Sequence, residues 1–227
     1  MKDFLNQLAS GAAYCHSRNS PDSDLNYASV ADYVRDRGHD FLSREPLTEE
    51  QYEYLVGLAS QVGAVFRHEH FWPKECFTNA TLLVMADGVC RGLVGGGRPR
   101  RLTYCEGYCY SGLMPVHHAW VLLDGKLVDV TRSLRPEAPQ EFIDGRAPQE
   151  DLRDRILGAV PDGWGYLGLE FSYEEVEAAV LETGEAGSLI DDWERGYPLF
   201  KQKRIGPPPD TGAWEAIEAM KEAGGLT

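Results

Sequence analysis

The sequence lacks any run of the ~18 apolar residues that a membrane-crossing helix needs. Its first residues, Met1-Lys2-Asp3-Phe4-Leu5-Asn6-Gln7, lack the apolar centre of a signal peptide, so a cytoplasmic protein is expected. Positive charge is scarce. Lys and Arg number 22 against 36 Asp and Glu, a formal net charge of −14. Nucleic acid and anionic membrane are therefore not expected partners, because both need a basic surface. A local basic stretch, Arg98-Pro99-Arg100-Arg101, reads as a solvated loop. Cysteine is sparse and odd in number, five in all, which argues for free thiols rather than a disulfide framework. Cys15, Cys90, Cys105 and Cys109 read as small buried hydrophobes. There is no internal repeat and no low-complexity tract. The glycine-rich stretch from Gly92 to Arg101 lacks the strand-to-helix setting and the Lys-Ser/Thr ending of a phosphate-binding loop, and reads as a connection able to close over a site.

What is present is a globular composition, 43% hydrophobic and 11% aromatic over 227 residues, enough for a sizeable core. The pattern divides into a helical segment over 1–70, a core of one helix and a sheet over 71–135, and the remaining core with further helices over 136–227. One compact domain is expected.

Along the first segment, helical pieces are expected, separated at Gly11 and at the Ser17–Ser20 cluster with Pro21, with one piece from Asp24 to Arg35. Thr48-Glu49-Glu50-Gln51 fits a capping box, and the apolar spacing from Tyr52 to Phe66 continues it as a helix. His68-Glu69-His70 offers two histidines at strand spacing, but no neighbouring cysteine or carboxylate set completes a metal site, and no metal is expected. A buried helix is predicted from about Glu75 to Asp87, stopped by Gly88.

Three strands in meander order follow, at Leu102 to Tyr110, Pro115 to Leu123 and Lys126 to Thr131, with Asp124-Gly125 as a hairpin turn. A helix on an antiparallel sheet makes the class α+β. Further on, a short strand is expected at Gln140 to Asp144, a short helix at Asp151 to Leu157 and a strand from Trp164 to Phe171. A capped helix should start at Ser172-Tyr173-Glu174-Glu175, another at Ser188 to Glu194, and a last one from Trp214 to Lys221.

The chemistry-bearing residues fall in the middle. Cys76 stands at the first turn of the buried helix, where free amides and the helix dipole favour a thiolate and can hold an oxyanion. A base must then face that helix. Alternation puts Val116, His118, Trp120 and Leu122 on one face and His117, Ala119, Val121 and Leu123 on the other, so only one of the two histidines can serve; periodicity does not choose. Asp129, in an otherwise apolar strand, needs a partner, and a histidine on the adjoining strand supplies one. Cysteine, histidine and acid make a nucleophile, a base and an orienting group.

These segments resemble the transglutaminase-like, papain-related superfamily, whose cysteine opens a central helix and whose histidine and aspartate lie in His-Ala-Trp and Asp-Pro-Thr strands. Here they read Cys76, His118-Ala119-Trp120 and Asp129-Val130-Thr131, with Val130 in the proline's place. The resemblance covers about residues 70 to 132 and selects His118 as the base with Asp129 orienting it. Arylamine N-acetyltransferases are also similar, through Cys76-Phe77-Thr78-Asn79 and Asp129-Val130, although they carry Arg-Gly-Gly where this chain has Pro73-Lys74-Glu75. The resemblance implies a transglutaminase-like core and a thiol hydrolase or acyltransferase without a cofactor. Its substrate would be a peptide, amide or other acyl compound, with water or an amine as acceptor. Asn79, one helical turn from Cys76, is a supporting candidate. Glu106 could hold the site or bind substrate, and Trp72 could flank the cleft or the oxyanion. A non-catalytic binding module on the same fold is the alternative.

Overall fold

In the computed structural model, the structure describes residues 1–19, 26–66, 75–93, 99–134, 152–191 and 203–222. Among them the chain forms six α-helices and one six-stranded antiparallel sheet, an α+β architecture. No helix among the described residues is long and apolar enough to cross a membrane.

The first helix, α1 (Lys2–Asn19), runs straight through Gly11. The interruption expected there does not occur, because that position is a contact: a Cβ on Gly11 would lie 3.0 Å from the ring of Trp214. Next comes α2 (Val30–Arg37), which starts later than the spacing suggests because Ser29 caps it by accepting from the Asp32 amide. The short β1 (His39–Asp40) leads to α3 (Glu49–Phe66), whose capping box forms as expected: the Thr48 amide donates to Gln51 and the Gln51 amide to Thr48 Oγ1.

The central helix α4 (Cys76–Leu93) begins at the cysteine and continues past Gly88. Gly88 is not a stop. A Cβ there would meet the Tyr173 ring at 2.1 Å, so the glycine makes room for the helix that follows the sheet.

Strands β2 (Leu102–Tyr110), β3 (Val116–Leu123) and β4 (Lys126–Ser133) form the expected meander. Asp124 (φ 51°) and Gly125 (φ 81°) both take left-handed conformations, as a two-residue primed hairpin turn requires. The helix expected at Asp151 to Leu157 is instead a single 3-10 turn, Leu152–Asp154, followed by β5 (Arg155–Gly158). Ladder bonds to the open edge of β4 outweigh local propensity there. The aromatic stretch forms β6 (Gly165–Phe171), which crosses back to pair with β2 and gives the strand order β1-β6-β2-β3-β4-β5. The strand expected at Gln140 to Asp144 lies outside the described residues.

After the sheet, α5 (Tyr173–Thr183) has the expected capping box between Ser172 and Glu175. Of the helix expected at Ser188 to Glu194, residues 188–191 are not helical, the amides of Leu189 and Ile190 being drawn to Glu106, and residues 192–194 lie outside the described residues. The last helix, α6 (Gly212–Glu222), docks on α1 through Trp214. Between them, Arg204 forms a forked ion pair with the buried Asp32, while Asp36 accepts from the amides of Ile205 and Gly206, fixing this segment to α2.

The sheet is buried on both faces. Tyr104, Ala119, Val121, Leu123, Val128 and Val130 face α4 and pack with Ala80, Leu83 and Val84. Cys105, Cys109, Trp120, Leu122, Leu127 and Tyr166 form a second core with Phe41 and Val160 on the opposite face. Among the cysteines whose side chains are described, Cys105 and Cys109 are buried as expected, whereas Cys15 is exposed; all are free.

Candidate active site

Three elements deliver the predicted residues. Cys76 is the first residue of α4, 6% exposed, and the Asn79 amide closes the first turn on the Glu75 carbonyl at 2.9 Å. The remaining amides of that turn have no intrahelical acceptor, which makes the helix start electropositive. His118 is the third residue of β3, and Asp129 the fourth of β4. The paired register of these strands runs from Val121–Val128 to Leu123–Lys126, so both site residues lie beyond the paired end.

His118 Nε2 and Asp129 Oδ2 are 2.7 Å apart, with both side chains buried. Cys76 lies near enough to act on the same imidazole and helps to raise its pKa. With Nε2 committed to the carboxylate, the nitrogen left for sulfur is Nδ1.

This happens in a way the alternation rule did not suggest. The face of β3 toward α4 carries His117, whose ring lies 5.0 Å from that of Phe77, while His118 shares the other face with Trp120. The thiol is still reachable from that side. Helical Cα–Cβ bonds tilt toward the N-terminus, so the side chain of the first residue leans toward the helix start.

The electrostatics follow from burial and charge. Burial opposes the His118 imidazolium, but the Asp129 charge, its hydrogen bond and Cys76 outweigh it and raise the pKa to about 9. For Asp129, burial opposes the carboxylate, but the His118 charge and hydrogen bonds from His118, Tyr166 and the Arg132 amide hold its pKa below the usual range. Asp129 Oδ1 accepts from the amides of Thr131 and Arg132, each at 3.0 Å, and Oδ2 also accepts from Tyr166 at 2.8 Å.

The supporting candidates separate. Asn79 is fully buried and donates to Thr131 Oγ1 at 2.9 Å, tying α4 to β4 just past Asp129. Glu106 is fully buried too and clamps a different part of the chain. It pairs with His117 Nε2 at 2.9 Å and accepts from the Tyr104 and Ser188 hydroxyls and from the amides of Leu189 and Ile190. A bond from Thr78 Oγ1 to the Ala186 carbonyl holds the same segment against α4. Trp72, His68 and His70 lie outside the described residues, as do residues 94–98 of the glycine-rich connection. Among the described residues, no group of three or more His, Cys, Asp or Glu is arranged to hold a metal ion.

The residue that sequence reasoning missed is Tyr166. Its place in a strand was legible, but its reach to Asp129 depends on β6 crossing back to β2, which no local spacing reveals.

No protein-family model, curated protein or solved structure matches this chain.

Proposed function

We propose that the chain is a cysteine-dependent acyl-transfer enzyme with a transglutaminase-like core, working through a thioester on Cys76. The observation that carries this reading is the buried His118–Asp129 pair, at 2.7 Å, with Cys76 acting on the same imidazole. A histidine kept protonated past neutrality beside a first-turn cysteine is placed to act as the acid and base of the reaction.

In the proposed reaction the Cys76 thiolate attacks the carbonyl carbon of an amide or ester. The resulting oxyanion is met by free amides at the start of α4. His118 then gives its proton to the departing nitrogen or oxygen, the bond to carbon breaks, and the thioester remains. An incoming water or amine loses its proton to His118 as it attacks, and Cys76 leaves as the thiolate. Asp129 keeps the ring in register and its charge balanced throughout. Water gives an amidase or peptidase and an amine gives an acyltransferase.

The test is the rate of Cys76 alkylation by iodoacetamide as a function of pH, in the wild-type chain and in His118→Ala. The expected result is reactivity that persists below pH 7 in the wild type and falls by tenfold or more in the variant. A slow, ordinary thiol in both proteins sinks the proposal and favours a non-catalytic binding module.

A further inference from the structure

The side chains around Asp129 extend the site beyond the three residues. Tyr166, from β6, donates to the same oxygen of Asp129 that pairs with His118, at 2.8 Å against 2.7 Å. The other oxygen is fixed by two backbone amides. With all four donors on one buried carboxylate, the donation from Tyr166 competes directly with His118 for charge on Oδ2. We propose that Tyr166 is a positioning residue that sets how strongly Asp129 holds the proton of His118. This rests on the acyl-transfer reading for its functional meaning, though the coupling itself is a property of the four side chains.

The hydroxyl is suited to the task. Tyr166 is 1% exposed, and burial, the Asp129 charge and contact with Cys109 all push its pKa well above the ordinary phenol value, so it remains a donor. Its hydrogen goes to Asp129, and Cys109 is a close neighbour of the same hydroxyl. That thiol is pushed up to about 12, chiefly by burial, and stays protonated. The result is a buried group in which Tyr166 and His118 share Asp129, with Cys109 beside Tyr166 and Cys76 beside His118, drawn from β6, β3, β4, β2 and α4. Tyr166 and His118 meet on the same oxygen of Asp129, so a change at Tyr166 is felt at the imidazole through that shared acceptor.

The titratable groups facing His118 are Asp129 from β4 and Cys76 from α4, with Tyr166 from β6 and Cys109 from β2 behind the carboxylate. Arg132 adds a positive charge felt at Cys109. Glu106 and His117 occupy the other face of the sheet and bond to each other.

The experiment is an NMR titration of the His118 ring in the full chain. Tyr166→Phe removes the hydroxyl and keeps the ring. Oδ2 then carries more charge, its bond to the imidazolium strengthens, and the His118 midpoint is expected to rise by about half a pH unit or more, a threefold change in proton affinity. Global incorporation of 3-fluorotyrosine leaves the sequence unchanged and makes the phenol a stronger donor, so there the midpoint should fall. A role in packing alone lowers the melting temperature of Tyr166→Phe and leaves the midpoint in place. An unmoved midpoint in either protein overturns the proposal, and the fluorinated chain decides it if Tyr166→Phe does not fold. Cys76 alkylation measured on the same samples separates the two ideas. A shifted midpoint with an inert thiol keeps the coupling and rejects the acyl-transfer reading. A reactive thiol with a fixed midpoint does the reverse.

Discussion

His117 and His118 are neighbours in β3, and each takes its own buried carboxylate from a different strand: Glu106 at 2.9 Å on the α4 side and Asp129 at 2.7 Å on the other. The two pairs divide the work. One acts with Cys76, and the other anchors a segment of the chain.

That division predicts opposite outcomes for two similar substitutions. His118→Ala should reduce any acyl turnover by a factor of about 10² or more, the usual worth of a positioned base. His117→Ala should leave turnover within a few-fold while lowering the melting temperature, since Glu106 loses a partner. Steady-state rates on a panel of activated esters and amides check both.

The pH dependence of stability has a definite sign. The folded value of His118, about 9, is above its unfolded reference of 6.5, so its contribution is complete below about pH 6.5 and is lost as pH rises through about 9. Asp129 has a lowered folded value, so its contribution is present above about pH 4 and is lost as pH falls through the folded pKa. The pair stabilises most between those limits. A shift of this size corresponds to something on the order of 3 kcal/mol, or roughly 6–12 °C in melting temperature for a chain of this length. Calorimetry should show that fall between pH 6.5 and 9.5 in the wild type, and Asp129→Asn should flatten it.

Glu106 is the acceptor for five donors, and removing it strands them in the interior. Glu106→Ala is expected to cost roughly 3–5 kcal/mol, as for other broken buried pairs. It should also free the segment from Glu185 to Asp191. Limited proteolysis under native conditions would then cut within that segment at least tenfold faster than in the wild type. Cutting at the wild-type rate would mean that Glu106 does not hold the segment.

Two glycines on helices give a matched test of packing. Gly57 in α3 is exposed with nothing within 4 Å of an added Cβ, so Gly57→Ala should stabilise by about 0.5–1 kcal/mol through helix propensity. Gly88 in α4 lies under Tyr173, whose ring also carries Arg100 at 3.9 Å. Gly88→Ala should displace that ring and destabilise by about 1–3 kcal/mol. Urea melts of the two variants should move in opposite directions.

Much of the architecture was readable from local patterns. The three meander strands, the Asp124-Gly125 turn and the two capping boxes each depend on a few adjacent residues, and each formed where expected. Failures came where distant chain decides. Gly11 and Gly88 look like breaks but are contact points for Trp214 and Tyr173. Arg155–Gly158 is too short to declare itself and becomes a strand through the edge of β4. Residues 188–191 have helical composition but give amides to Glu106. Within the site, the order of Cys76, His118 and Asp129 was legible because strand neighbours bring such groups together. The face that His118 occupies was not, because it depends on how the helix end meets the sheet.

The attachment of Arg204 to Asp32 joins positions 172 residues apart. During synthesis, α2 must therefore wait for a partner that emerges roughly 10–35 s later at typical rates of about 5–20 residues per second. Through that interval Asp32 and the Gly11 side of α1 have no Arg204 or Trp214 to meet, so a nascent chain that stalls before residue 203 exposes surface to chaperones and proteases that the finished fold covers.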